Sequence, residues 1–157
     1  VNPIEVALDP GKHRCGVAWY DSQGYVCDWL SVSDAMLAVA GKRGIVEFPR
    51  VLPSTPDPED ILQLARVAGR AEQAMATCQL VRPNEWKGSV SKELHNRRVL
   101  ESLGAIHPAS LPRIQARLTV LGTKAHNAID ALGLLLYGLK LTNSRGTPYV
   151  KAPCQSP

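Results

Sequence analysis

Ile4-Glu5-Val6-Ala7-Leu8-Asp9-Pro10-Gly11-Lys12-His13-Arg14-Cys15-Gly16-Val17-Ala18-Trp19-Tyr20 decides the fold. Residues 4–9 read as a buried strand of apolar and β-forming side chains that ends in an acid. Pro10-Gly11 is a turn signal, and residues 14–20 resume the apolar run as a second strand. The stretch therefore spells a hairpin whose first strand delivers the Asp9 carboxylate beside a tight turn. A charge at the end of a buried strand needs a partner, because desolvating it alone costs several kcal/mol.

Outward from this hairpin, Asp21-Ser22-Gln23-Gly24 is a turn and residues 25–32 a third strand. Ser33-Asp34 caps a short helix through Val39 that Gly41 stops. Residues 44–48 form a short strand that carries Glu47. Four prolines in residues 49–58 mark a loop. Asp57-Pro58-Glu59-Asp60 opens a helix that runs to about Thr77. Its small-sided stripe suits either a second subunit or the chain's own sheet. Residues 79–82 are a further strand, and residues 83–88 a loop or helical turn. Residues 91–103 form an amphipathic helix ended by Gly104. Pro108 and Pro112 limit regular structure in residues 107–122. A last helix covers about 126–141, and residues 142–157 read as a flexible C-terminal tail. The fold class that follows is α/β: a mixed five-stranded sheet, three antiparallel strands and then parallel additions, flanked by helices in one domain over residues 1–141.

The chain has 157 residues, 45% of them hydrophobic, which suffices for one core. Its net charge of +4 is unevenly spread. Residues 1–81 carry 7 Lys/Arg and 10 Asp/Glu, whereas residues 82–157 carry 11 and 4. The second half is a cationic surface suited to a polyanion such as nucleic acid. Cys15, Cys27, Cys78 and Cys154 have no zinc-ligand spacing and read as free thiols of a reducing compartment. No apolar run has the length of a membrane span, so the expectation is a soluble, intracellular protein with no membrane partner.

Two further acids stand in apolar settings like that of Asp9. Strand alternation puts Glu47 on the same face as Ile45. Asp130 is the single acid of an otherwise apolar last helix and shares a face with His126 and Asn127. Three carboxylates from distant elements suggest a divalent-metal site, since ionising them together is costly and a cation removes that cost. Oxygen ligands select Mg²⁺ or Mn²⁺ over zinc.

With these motifs in place, the chain resembles the RuvC-type Holliday-junction resolvases of the RNase H-like superfamily, especially compact phage-type members. The resemblance covers about residues 4–141. It rests on Leu8-Asp9-Pro10-Gly11, on Val46-Glu47 and on His126-Asn127-Ala128-Ile129-Asp130-Ala131-Leu132. Val81-Arg82-Pro83-Asn84-Glu85-Trp86-Lys87-Gly88 adds a strand and a Trp-Lys segment. The resemblance implies a homodimer that cuts four-way DNA junctions with two Mg²⁺ or Mn²⁺ ions per site, in the cytoplasm of a bacterial or phage-infected cell and associated with the nucleoid. It implies Asp9, Glu47 and Asp130 as catalytic metal ligands. The fourth family position is Asn127, whose amide ligates without charge and is a poor base; His126 is an adjacent candidate for part of that role.

Candidate DNA contacts are Lys12, His13 and Arg14 beside the first acid. Lys87, Lys92, Arg97 and Arg98 form a second group, and Arg113, Arg117 and Lys124 lie before the last helix. Phe48 and Arg50 follow Glu47, where the resemblance implies groups that probe the junction centre. The alternatives are another RNase H-like nuclease acting on flap, branched or RNA-containing substrates, and a junction-binding architectural protein with a weakened site.

Overall fold

The computed structural model describes residues 3–50 and 57–143. Its strands are β1 (Val6–Asp9), β2 (Arg14–Asp21), β3 (Gly24–Ser31), β4 (Arg43–Glu47) and β5 (Thr77–Val81). Its helices are α1 (Val32–Val39), α2 (Pro58–Ala74), α3 (Pro83–Trp86), α4 (Lys92–Ile106), α5 (Leu111–Leu121) and α6 (Ala125–Gly138). The five strands form one sheet in the order β3-β2-β1-β4-β5. β1 runs antiparallel to β2 and parallel to β4, and β5 is parallel to β4. This is the expected mixed α/β sheet of RNase H-like type.

The two-residue strand period sorts the core onto two faces. Val6, Leu8, Cys15, Val17 and Val46 pack beneath α1 and α2, against Ala35, Val39, Val67, Ala68 and Ala71. Ala7, Ala18, Cys27 and Ile45 face α6, together with Trp86 and the α4 residues Val99 and Leu103. α2 thus covers its own sheet through Val67, Ala68 and Ala71, and of the small-sided stripe only Ala68 lies on that face.

Several boundaries depart from the sequence reading. Ser31, not Ser33-Asp34, caps α1: its hydroxyl accepts the Asp34 N–H. α2 ends at Ala74 because Thr77 already pairs with Arg43 in the sheet. α4 passes through Gly104 to Ile106, where Ile106 packs on the core; tertiary contact outweighs the roughly 1 kcal/mol that a helical glycine costs. Helix α5 occupies part of the proline-bearing segment. Pro112 lies in its first turn, where the missing N–H costs nothing, and Pro108 heads a 3-10 turn. α6 stops at Gly138, and Thr142, read as the start of the tail, is buried. Residues 144–157 lie outside the described residues, Cys154 among them. Cys15, Cys27 and Cys78 are free thiols, and burial pushes Cys27 up to about 12. Among the described residues no helix is long and apolar enough to cross a membrane.

Gly16 sets the distance between α6 and the sheet. A Cβ there would stand 2.0 Å from the Asn127 carbonyl oxygen and 3.3 Å from the Ala131 methyl. Only a residue without a side chain lets the first turn of α6 lie on β2. Gly16→Ala is therefore expected to destabilise the fold by about 1–3 kcal/mol, as overpacking does, measured as a lower urea midpoint at unchanged slope. A change within about 0.5 kcal/mol, the range of ordinary surface substitutions, would show that α6 moves freely.

Candidate active site

Three elements meet at one edge of the sheet. Asp9 is the last residue of β1 and Glu47 the last of β4. These neighbours are parallel, with Leu8 opposite Val46, so the two acids leave the sheet side by side at its carboxyl edge. Sites in α/β sheets gather at such edges. Both side chains follow the alternation of Ala7 and Ile45 toward α6. There Asp130, buried one turn beyond the helix start, meets them from above.

Two of the acids, Glu47 and Asp130, hold an ammonium between them. Lys87 Nζ lies 3.1 Å from Glu47 Oε2 and 3.6 Å from Asp130 Oδ2. Trp86 is buried, and its Nε1–H donates to the same Glu47 Oε2 at 2.8 Å. A buried indole N–H needs such an acceptor. His95, buried in α4, puts Nε2 3.2 Å from Asp130 Oδ1. That nitrogen lies off the direction of a good hydrogen bond and has no other partner among the described residues. Gly133 makes room for this layer: a Cβ there would come within 2.8 Å of Val99, 2.9 Å of the Trp86 ring and 3.5 Å of His95 Nε2. Beside Asp130 a cleft of about 200 Å³ is lined by Lys87, Gly88, Val90, Lys92 and His95.

The electrostatics follow from this crowding. Burial pushes the Asp9 carboxyl well above the usual range, and the charges of Glu47 and Asp130 push it further; Lys87 and Lys92 oppose without prevailing. For Asp130, burial pushes upward too, but the close His95 contact and Lys87 outweigh it and hold the carboxyl low. Burial alone would depress Lys87, yet Glu47, Asp130 and Asp9 together raise it. The site is thus a network of mutually dependent charges.

An all-oxygen donor set of Asp9, Glu47 and Asp130 suits Mg²⁺ or Mn²⁺ in type. Among the described residues, no three His, Cys, Asp or Glu side chains are arranged to hold an ion. The Lys87 ammonium supplies the positive charge between Glu47 and Asp130.

The other residues singled out in the sequence distribute more widely. Asn127 is half-buried, its amide 3.5 Å from the Lys124 carbonyl. His126 is held 3.0 Å from the Thr123 carbonyl oxygen. Lys12 pairs with Asp60 of α2, and His13 and Arg50 are exposed. Phe48 packs on the core beneath α1 and α2. Arg97 faces Glu101 at 3.8 Å, with half-buried Arg98 beside it. Arg113 and Arg117 tie α5 to the β2–β3 hairpin through Asp21 at 2.9 Å and Asp28 at 2.6 Å. Arg14 and Lys124 converge on Trp29. Lys87 is the candidate that contacts the acids, and Lys92 lines the cleft beside Asp130. His95 went unread in the sequence. Its signal was a polar residue four before Val99 on the buried stripe of α4.

Two outcomes follow for the metal-free protein. A carboxyl raised by folding favours the fold while protonated, and that contribution is lost as pH rises through its folded value. In chelator, Asp9→Asn is expected to raise Tm by a few degrees at neutral pH, with the gain shrinking as pH falls below the folded value of Asp9. A gain that is absent, or that grows toward acid, contradicts the crowding. Lys87→Met leaves Glu47 and Asp130 without their counter-charge and is expected to cost about 1–3 kcal/mol in chelator. Denaturant melts at neutral pH measure it, and an unchanged midpoint would remove Lys87 from the network.

No protein-family model and no curated protein matches the sequence. Among solved structures the chain is similar to T. thermophilus RuvC in complex with Holliday junction substrate. Identity is 13%, the match covers 86% of this chain and 91% of that one, and the TM-score is 0.43. The fold assignment rests on the sheet topology and not on this likeness.

Proposed function

We propose that this chain is a divalent-metal-dependent nuclease that cuts branched DNA, with four-way junctions as its preferred substrate. The observation that supports this most directly is the convergence of Asp9, Glu47 and Asp130, from β1, β4 and α6, at the carboxyl edge of the sheet. Ionising such a trio together is costly, and Lys87 offsets only part of that cost, since Asp9 stays raised, so the cluster favours a further cation.

Asp9, Glu47 and Asp130 would hold Mg²⁺ or Mn²⁺, with the Asn127 amide oxygen as an uncharged fourth donor and two ions as the full complement. A bound ion supplies Lewis acidity toward a phosphoryl oxygen. The chain's own groups do the rest. Trp86 Nε1–H fixes the rotamer of Glu47, and His95 packs 3.2 Å from Asp130 Oδ1. Lys87, 3.1 Å from Glu47 Oε2, would offer its ammonium to the charge that develops on the phosphate. A twofold homodimer would present two such sites to the two strands of a junction. The placement of Lys87 between the acids favours one other reading: a protein that binds junctions without cutting them.

The test is a labelled four-way junction with Mg²⁺ or Mn²⁺, beside linear duplex, flap and RNA–DNA hybrid. Paired symmetric nicks in the junction, reduced about 100-fold or more in Asp9→Asn, are expected. Preferential cutting of flap or hybrid would replace the substrate. Junction binding with no cutting in either metal would establish the architectural reading.

A further inference from the structure

Trp29 stands in one row with Asp9 across the sheet: Asp9 pairs with Gly16, and Gly16 pairs with Trp29. Directly paired residues share a face. The Gly16 position faces α6, so the half-buried indole lies on the α6 side, as do the acids. Two strand spacings separate it from Asp9, roughly 10 Å.

Two cations converge on this ring. The Arg14 guanidinium lies 4.8 Å from its centroid and the Lys124 ammonium 5.6 Å. Arg14 is further held by a bond from Nη2 to the Trp29 carbonyl oxygen at 3.1 Å. Neither cation is ion-paired with a described carboxylate, whereas Lys12, Arg43, Arg97, Arg113 and Arg117 all are. Like charges repel, and each exposed cation–π contact returns only about 0.5–1 kcal/mol. An uncompensated pair fixed around an aromatic ring is preorganised for an anion.

We propose that Arg14, Trp29 and Lys124 form a subsite for the phosphodiester backbone of the DNA strand that the carboxylate cluster cuts. The indole holds the two cations in place, and the cations contact phosphate. The subsite rests on the nuclease reading for its link to a cut position, but not for DNA binding itself. Successive phosphates of one strand stand at least about 3.4 Å apart, the rise along the helix axis, so roughly 10 Å puts the subsite within about three phosphates of the scissile bond.

The experiment uses the Asp9→Asn full chain, so that binding is read without cutting. Junction affinity is measured from low to high salt for Arg14→Gln, Lys124→Gln, Trp29→Leu and Trp29→Phe, with Arg43→Gln, at the far end of the sheet, as control. Each lost phosphate contact is expected to lower the slope of log K against log salt by about 1. Arg14→Gln and Lys124→Gln should each do so; Trp29→Leu should weaken binding several-fold, Trp29→Phe should restore most of it, and Arg43→Gln should leave the slope unchanged. With the uncut-site arm in hand, methylphosphonates are walked along the strand in the active protein. A loss of cutting centred within about three phosphates of the nick, and not at the nick itself, supports the subsite. Slopes that stay at the Asp9→Asn value, in a protein that binds junctions, overturn it whether or not the wild type cuts. Lowered slopes in a protein that never cuts uphold the subsite while removing the nuclease.

Discussion

Repulsion among three acids at one sheet edge is the constraint around which this molecule is arranged. Asp9, Glu47 and Asp130 arrive from segments far apart in the chain, and burial removes the water that would screen them. The Lys87 ammonium, 3.1 Å from Glu47 and 3.6 Å from Asp130, offsets part of that repulsion. Its position depends in turn on α3, a single turn that places Trp86 and Lys87 in succession. Trp86 points inward to anchor Glu47, and Lys87 crosses its own neighbour's ring at 5.0 Å to reach the acids.

Holding this arrangement requires closeness that side chains would prevent. Gly16 brings the first turn of α6 onto β2, and Gly133 opens α6 to Trp86, Val99 and His95. The two glycines lie on opposite sides of Asp130, one toward the sheet and one toward α4. Together they fix how deep the acid sits. Neither is at a turn, so their role is close approach and not backbone conformation.

The sequence was most informative where local pattern and tertiary demand agree. The apolar runs of residues 4–20 and the Pro10-Gly11 turn placed the first hairpin, and alternation put Glu47 on the face of Ile45, which α6 covers. Asp130 stood out because the residues after it are apolar. Legibility failed where a distant contact decides. Gly104 looks like a helix end, yet Ile106 packs on the core and carries α4 past it. Pro112 looks disruptive, but its position in a first turn is harmless. Arg113 and Arg117 look like free cations because Asp21 and Asp28, some ninety residues earlier, are invisible from their own segment. His95 belongs to the acids only through the approach of α4 to α6, which no local window records.

The internal ammonium has a consequence for the metal-free fold. Many small metal sites are unfolded until their ion arrives, because the ligands have no other source of positive charge. Here the chain supplies its own counter-ion. The charge that offsets Glu47 and Asp130 comes from within the fold, so the arrangement stands without drawing on an ion from solution.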